Sequence, residues 1–525
     1  MRDNNASDRW KKYPDTHKNL YDLLEASAIR FPDKTAVIDE KGSITYSQLL
    51  KKTNCLAHYL KREFCIKKGE RIGLLFVNSI EFYIAFYALM KLGAIAVLVN
   101  TKMQSGEIEY VLSDTDTKYL IMNQRWIDKV KEIIPQLGIK KIITENQTGE
   151  KIPGVYLTSM DYILQKECGE NPDEFSSVRE DELTAVILHT SGTTGRPKGI
   201  MVTHKNIMGT SYGYQDVLGL DEHDISVLSV PVFHILGLSC VSTMFLYMGA
   251  TLVVFDKFDS NRVLQAIETY HATHFHSVPA VYIKMIQEAA AKYDLTSLKI
   301  AVCGGAVISR EYRDKFCEMA PNASFRIAYG LTETAGSGVL SYEHGKPGRE
   351  VPNCHISVAD IKTGIISDFG EGEAVCEGPV VTTKVWGGKS SESRKLFTGD
   401  IIRKDKNGDI YFLDRIKDVV NRGGEKIFPS SIESVLLKYP GIEQAVVFAV
   451  GDELYGEVPA AVLVEKAGEK ICLEHIQEDL SKHIGKFELP QYMEIWKADT
   501  LPLTANGKIK KKKLREIFEK KFLKQ

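Results

Sequence analysis

Residues 20–99 alternate between helix-spaced and strand-like apolar patterns, and that alternation limits the fold more than any other feature of the chain. Leu20–Phe31 carries apolar residues three and four apart, then Thr35–Asp39 and Ser43–Thr45 read as short strands. Tyr46–Phe64 returns to helical spacing, Arg71–Phe76 is a buried strand, Ser79–Leu92 is a helix, and Ala94–Val99 resumes strand. Strands separated by whole helices are joined by crossovers rather than tight hairpins, so they pair in parallel. The expectation is an α/β fold built on parallel-rich sheets. No internal repeat or low-complexity tract interrupts it.

After about residue 340 the pattern changes. Ile356–Ala359, Glu373–Glu377, Thr382–Val385 and Asp409–Leu413 are short strand-like segments between Gly- and Asp-rich turns, which predicts a small β lobe over about 340–415. Beyond Asp414, the segments Ile432–Leu437, Ile442–Val450 and Ala460–Val464, with helical patterns at Cys472–His483 and Lys511–Phe522, predict a compact α+β unit. The expected organisation is a large multi-lobed N-terminal domain, 1–415, and a small mobile C-terminal domain, 416–525. The polar run DRIKDVVNRGGEK, 414–426, marks their boundary.

Composition narrows the function classes. Of 525 residues, 44% are hydrophobic and 26% charged, enough to bury large cores, and a formal net charge of −2 provides no global field for nucleic acid or an anionic membrane. The most apolar long stretch, Leu228–Phe255, is broken by Pro231, His234, Gly237 and Gly249, so it reads as buried strand and helix rather than a transmembrane segment. The polar start MRDNNASDRWKKYPD lacks the apolar core of a signal peptide. Nine cysteines, an odd number without a CxxC pair, suggest neither a disulfide framework nor a zinc ribbon. Reduced thiols in a cytoplasmic enzyme are the expectation.

The chemistry centres on LHTSGTTGRPKG, 188–199, which comes after the apolar run Leu183–Leu188. Small residues let backbone N–H groups approach a polyphosphate, hydroxyls add donors, and Lys198 adds a point charge. It is not a Walker loop, because no Ser or Thr follows a Gly-Lys pair. TSGTTGRPKG resembles the defining motif of the AMP-binding superfamily: acyl-CoA synthetases, peptide-synthetase adenylation domains and luciferases. The resemblance covers essentially the whole chain, since further motifs appear in the family's order.

That resemblance implies a role for each matching residue. Thr190, Ser191, Gly192, Thr193, Thr194, Gly195 and Lys198 would hold the phosphates of ATP. In YGLTET, 329–334, Tyr329 would stack near adenine, with Gly330 beside it, Thr332 would contact phosphate, and Glu333 would hold Mg²⁺. One carboxylate plus substrate phosphates is how that hard cation usually sits in nucleotide sites. Gly304, Gly305 and Ala306, after the apolar run Leu298–Val302, would wrap adenine and line the acyl pocket. Asp400 would accept hydrogen bonds from the ribose hydroxyls, with Arg415 as second ribose contact. Lys417 falls at the hinge position, and Gly423 and Gly424 at the thiol tunnel. Lys508, in PLTANGKIKKKKLR, would enter the site for the first half-reaction. The basic residues after it read as a solvated helix start.

In PVFHILGL, 231–238, His234 stands where amino-acid-activating members carry an Asp, which disfavours an α-amino acid. Phe233, Leu236, Leu238, Val278 and Val307 are apolar candidates for the pocket wall. Burying an extra carboxylate among them would cost about 3 kcal/mol or more. The expected function is therefore an AMP-forming acid–thiol ligase. It would convert a carboxylic acid, of the fatty medium- or long-chain class, to acyl-AMP and then to acyl-CoA, using ATP, Mg²⁺ and coenzyme A. Three alternatives stand beside it: an aryl or arylalkenoic acid CoA ligase, a stand-alone enzyme loading a carrier protein, and a non-catalytic ATP-sensing scaffold. No carrier domain follows the Lys-rich stretch, which favours coenzyme A. Nothing in the motifs requires the oxygen chemistry of luciferases.

Overall fold

The computed structural model describes residues 17–168, 175–190, 197–289, 292–306, 308–341, 346–388, 395–466, 468–503 and 509–523. Their internal packing separates two compact units, one of residues 1–356 with 376–396, the other of 357–375 with 397–525. The strands Gly370–Glu377 and Leu396–Lys404 each pass from one unit to the other.

The first unit holds two sheets. One runs in the order Tyr156–Ser159, Lys141–Thr144, Tyr119–Met122, Arg71–Leu75, Ile95–Leu98, Thr184–Thr190, Lys198–Thr203. Every neighbouring pair is parallel except the last, a hairpin-like antiparallel pair. In the other sheet, neighbours are parallel from Thr35–Asp39 through Thr251–Val254, Ile225–Leu228, His274–Ser277 and Ile300–Cys303 to Ser324–Gly330. Gly42–Thr45 closes one side in antiparallel pairing, and Gly338–Ser341 with Gly348–Glu350 extends the other. The parallel expectation holds because crossover helices separate these strands.

The main core lies between the two sheets. It joins Leu74, Leu98 and Leu188 of the first sheet to Val37, Leu228, Val254 and Val302 of the second, with helices Ile80–Leu92 and His204–Leu218 in the layer between them. Residues Phe82 to Leu92 are all buried, so that helix is apolar on every side. Ser79 caps its start and Gly93, at φ 64°, ends it. Its one cation, Lys91, is tolerated because its Nζ donates to Asn54 Oδ1 at 2.8 Å and lies over the rings of Tyr21 and Phe175. The stretch 228–255 forms a buried strand end, a π-type helix Leu236–Thr243, a short helix and a strand. No helix among the described residues is long and apolar enough to cross a membrane.

Two expectations need correction. Cys55, on helix Tyr46–Glu63, and Cys168, at the end of helix Met160–Glu167, are joined by a disulfide with their Cα atoms 5.4 Å apart, so the thiols are not all reduced. The two helices pack side by side, a proximity that a sequence separation of 113 hides. The segment Thr382–Val385 is not a strand of the β lobe. Only Val385 makes a bridge, to Ile200, and the segment is instead laced onto strand Lys198–Thr203 by Met201 N–H donating to Lys384 O at 3.0 Å and Thr382 Oγ1 donating to Met201 O at 2.8 Å.

The second unit contains the antiparallel pair Leu396–Lys404 and Ile410–Arg415, with Asp400 opposite Arg415. It also contains a sheet in the order Glu425–Ile427, Val420–Arg422, Gly456–Glu465, Ile442–Asp452, with Tyr492–Trp496 parallel to Gly456–Glu465. Helices Pro429–Leu436 and Leu473–His483 cover one face through Ile432, Leu436, Ile476 and Leu480. Helix Lys511–Phe522 covers the other through Leu514 and Phe518. The elements from Val420 to Phe522 have the α+β make-up expected beyond Asp414, within a unit that also takes in 357–375 and 397–415.

Candidate active site

In open parallel sheets, ligands gather beyond the carboxyl ends of the strands. Several of the predicted residues of the first unit lie at or just past such ends. Ile300–Cys303 runs into Gly304, Gly305 and Ala306, His274–Ser277 into Val278, and Ser324–Gly330 ends on Tyr329 and Gly330. Gly304 N–H donates to Ser277 O at 3.0 Å, and a Cβ on Gly305 would lie 3.4 Å from Val278 Cγ1, so these two turns are adjacent.

The residues on either side of the predicted phosphate loop pair with each other. Thr190 pairs with Lys198 across the antiparallel ladder, which brings the two ends of 191–196 together. Ser191, Gly192, Thr193, Thr194 and Gly195 themselves lie outside the described residues, as do Val307 and Lys508. The side chain of Lys198 is exposed. Four residues that the sequence did not single out brace this base. Tyr110 Oη donates to Pro197 O at 3.0 Å, and His189 Nε2 lies 3.0 Å from Asp114 Oδ2. Trp386 N–H donates to Gly199 O at 2.8 Å, and its Nε1 donates to Asp114 O at 2.7 Å. Burial lowers the His189 pKa despite the Asp114 carboxylate that draws it up. His189 was legible as the residue before the motif, but its partners lie on remote segments and carry no local signal.

The 329–338 hairpin fixes the next group. Gly330 pairs with Gly338, Thr332–Thr334 forms a single tight turn, and Ala335 and Gly336 take positive φ to bring the chain back. Thr334 Oγ1 accepts from Leu331 N at 3.0 Å and donates to Ser337 O, closing the turn from inside. The backbone of Glu333 is held by Thr382 N–H, which donates to Glu333 O at 2.7 Å. Thr332 and Glu333 are half-buried, and the turn packs against strand Lys198–Thr203, so the lysine-bearing strand and the carboxylate-bearing turn are neighbours. Among the described residues no three His, Cys, Asp or Glu gather as a metal cluster. A cation held by Glu333 would take its remaining ligands from phosphate and water, the habit of Mg²⁺.

His234 follows Pro231 in a turn gripped by Asn78, whose Oδ1 accepts from Val232 N at 2.8 Å and whose Nδ2 donates to Val230 O at 3.1 Å. Phe233 and Leu238 are buried, while His234 and Leu236 are half-buried. The rings of Phe233 and His234 meet edge-on at 4.8 Å. The widened helix Leu236–Thr243 begins here, and π-type turns recur at functional sites.

In the second unit, Asp400 is 2% exposed and Arg415 Nε lies 3.1 Å from its Oδ1. Asp414, next door, accepts from Arg415 N and from Ser430 N, both at 2.8 Å, tying strand Ile410–Arg415 to helix Pro429–Leu436. Lys417 is exposed on a one-turn helix, Ile416–Asp418. Gly423 and Gly424 form the two-residue turn between Arg422 and Glu425 with φ 58° and 96°, a mirror-image turn that side chains resist. Space above Gly424 is open within 4 Å.

The AMP-binding enzyme model matches residues 24–386, and the AMP-binding enzyme C-terminal domain model matches 431–508. The long-chain-fatty-acid–CoA ligase FadD13 of Mycobacterium tuberculosis is 29% identical over 518 residues, spanning 95% of this chain and 99% of that protein. The o-succinylbenzoate CoA synthetase MenE of Bacillus subtilis, solved with the acyl-adenylate intermediate OSB-AMP, is 25% identical at a TM-score of 0.79, covering 94% of this chain and 97% of that one. ATP-bound MatB of Rhodopseudomonas palustris shares the fold, with a TM-score of 0.84 at 24% identity over 96% of this chain and all of that one. With one family model covering most of the chain and its C-terminal companion following in order, this protein belongs to the AMP-binding enzyme family.

Proposed function

We infer that the chain is an AMP-forming acid–thiol ligase that converts a fatty acid to its CoA thioester through an acyl-AMP intermediate. The observation that carries this reading is the placement of the Lys198 strand against the Thr332–Glu333 turn, at the carboxyl ends of parallel strands, in a chain matched by both family models. The likeness to FadD13 along nearly its whole length supports a fatty acid and coenzyme A as substrates. An aromatic acid is the second reading, favoured by the likeness to MenE bound to OSB-AMP.

In the first half-reaction the acid's carboxylate attacks the α-phosphorus of ATP, the bond to the β-phosphate breaks, and pyrophosphate leaves. Lys198 and Lys508 neutralise the charge that builds on the phosphate oxygens, the groups being positioned rather than chemically transformed. Glu333 would hold Mg²⁺ and Thr332 would bind phosphate beside it; the ion's part is to offset phosphate charge. Asp400 accepts from the ribose hydroxyls while Arg415 keeps its carboxylate oriented. The 416–525 domain then turns about Lys417 and withdraws Lys508, opening a path for the thiol past Gly424 and His234. The thiol sulfur attacks the acyl carbonyl, its proton is released to solvent, and AMP leaves with the bonding pair. None of these steps needs a cysteine. Residence in the cytoplasm belongs to the same proposal; cell fractionation is expected to recover the protein with cytosolic markers, and recovery in an extracytoplasmic fraction, where the Cys55–Cys168 disulfide would persist, overturns it.

Exchange of radiolabelled pyrophosphate into ATP, screened across fatty, aryl and amino acids, tests the adenylation step. Exchange with fatty or aryl acids is expected, and absence with every acid would leave the non-catalytic alternative. Competition between coenzyme A and a phosphopantetheinylated carrier identifies the thiol. Asp400→Asn is expected to raise the KM for ATP roughly tenfold to a hundredfold with a smaller change in kcat, the scale of charge-assisted hydrogen bonds to bound ribose. An unchanged KM would remove Asp400 from the nucleotide site.

A further inference from the structure

The strand His274–Ser277 sends Phe275 to the outer core, with Val227, Ala301 and Phe325, and therefore sends His274 and His276 inward. Both imidazoles are completely buried. Burial pushes His274 down to about 3 and His276 well below its usual value, so both are neutral at physiological pH. His274 Nδ1 pairs with Ser226 Oγ at 2.9 Å, which leaves Nε2 without a partner. His276 has a partner at neither nitrogen among the described residues. A neutral imidazole always presents one donor and one acceptor, and buried polar groups are normally paired. On the same inner face the neighbouring strands place Leu228, Ile300 and Val302, so an aliphatic residue would satisfy packing.

The surroundings of His276 say where it faces. Its Nε2 lies 3.5 Å from the position a Cβ would take on Gly304, at the start of the turn predicted to line the acyl pocket. Its ring stacks on Tyr214 at 6.0 Å. Tyr214 Oη in turn donates to Gly336 O at 3.3 Å, and Cys240 Sγ sits 2.6 Å from a Cβ built on Gly336. Beside these residues, Ser337 Oγ and Ser239 Oγ are also buried without partners among the described residues. A strip of uncharged polar groups therefore starts at His276 against Gly304, where the sequence predicted an apolar wall, and runs on through Tyr214 to Gly336 and Cys240.

We propose that the acid carries an uncharged oxygen on its tail, a hydroxyl or a carbonyl, that hydrogen-bonds His276 behind the Gly304 turn. The proposal rests on the ligase reading and narrows its substrate to oxygenated acids. The groups named on this strip bear no positive charge, which favours a neutral oxygen over a second carboxylate.

The test uses the full-length enzyme and measures thioester formation with decanoate and its mono-hydroxy and mono-oxo isomers, oxygenated at successive carbons. One isomer is expected to exceed decanoate in kcat/KM by roughly tenfold or more, because a site built to pair an oxygen discriminates against the analogue lacking it. His276→Leu should abolish that preference mainly through KM, bringing every isomer to the level of decanoate, and His276→Gln should partly restore it. Equal use of decanoate and every isomer by the wild-type enzyme overturns the proposal whether or not the variants fold, and would mean that buried water satisfies the imidazole. A preference that survives His276→Leu also overturns it. Failure of all acids to form an adenylate would instead sink the ligase reading, so the two failures are distinguishable.

Discussion

Lys508→Ala is expected to slow acyl-AMP formation by at least about a hundredfold while changing thioester formation from supplied acyl-AMP by no more than a few-fold. The first figure is the scale seen when a positioned charge facing a developing oxyanion is removed from a water-poor site. In the first half-reaction a full negative charge must approach the already anionic α-phosphate, and the lysine ammonium is the group proposed to hold the two together. In the second, the nucleophile is a thiol and the acceptor a mixed anhydride, so that ammonium has no corresponding charge to offset. Single-turnover measurements with radiolabelled acid and, separately, with synthetic acyl-AMP plus coenzyme A resolve the two steps. Equal losses in both would end the proposal that the 416–525 domain serves the steps in different positions.

Gly330→Ala should be nearly as damaging, for a purely steric reason. A Cβ there would sit 2.2 Å from Gly336 O, 2.6 Å from Gly336 C and 2.9 Å from Ser337 O, all backbone atoms that cannot swing aside. The hairpin must open by more than an ångström, at an expected cost of about 3 kcal/mol, the upper part of the range for overpacked sites. The opening displaces the 331–337 turn, and with it Thr332 and the carboxylate of Glu333, so adenylation is expected to fall by about a hundredfold even in the molecules that stay folded. Gly106→Ala is the matched control. Gly106 lies in helix Ser105–Asp114 with open space where the Cβ would go and no positive φ, so its substitution should be neutral or stabilise by about 0.5 kcal/mol. Thermal melts and pyrophosphate exchange on both variants check the pair. A Gly330→Ala enzyme that melts and exchanges like the wild type would show that the hairpin is looser than its hydrogen bonds imply.

Much of this protein was legible in its sequence because the relevant physics is local. Helical spacing set the helix bounds Ile80–Leu92 and Lys511–Phe522 to within a residue or two, and crossover-separated apolar runs required parallel pairing. The ordered motifs at 190–199, 329–334, 396–415 and 502–515 made the family recognisable, since small residues, a lysine and a carboxylate at those spacings are what phosphate binding asks of a chain.

Tertiary structure decided what depends on residues distant in sequence. The brace of Tyr110, Asp114, His189 and Trp386 beside Pro197 and Gly199 joins separate segments, and no spacing rule links them. Cys55 and Cys168 meet only because two helices pack together, and Thr382–Val385, strand-like by composition, serves as a strap along strand Lys198–Thr203. The strand His274–Ser277 shows the division most clearly. Period-two alternation put His274 and His276 on one face of their strand, but only packing revealed that this face is buried and that His276 has no partner there among the described residues. Sequence by itself determined the fold class and the family's reaction, because both follow from local pattern. His234 already argued against an α-amino acid from sequence, whereas the oxygenated tail proposed for the acid rests on which side chains converge around His276, and that convergence belongs to the tertiary structure.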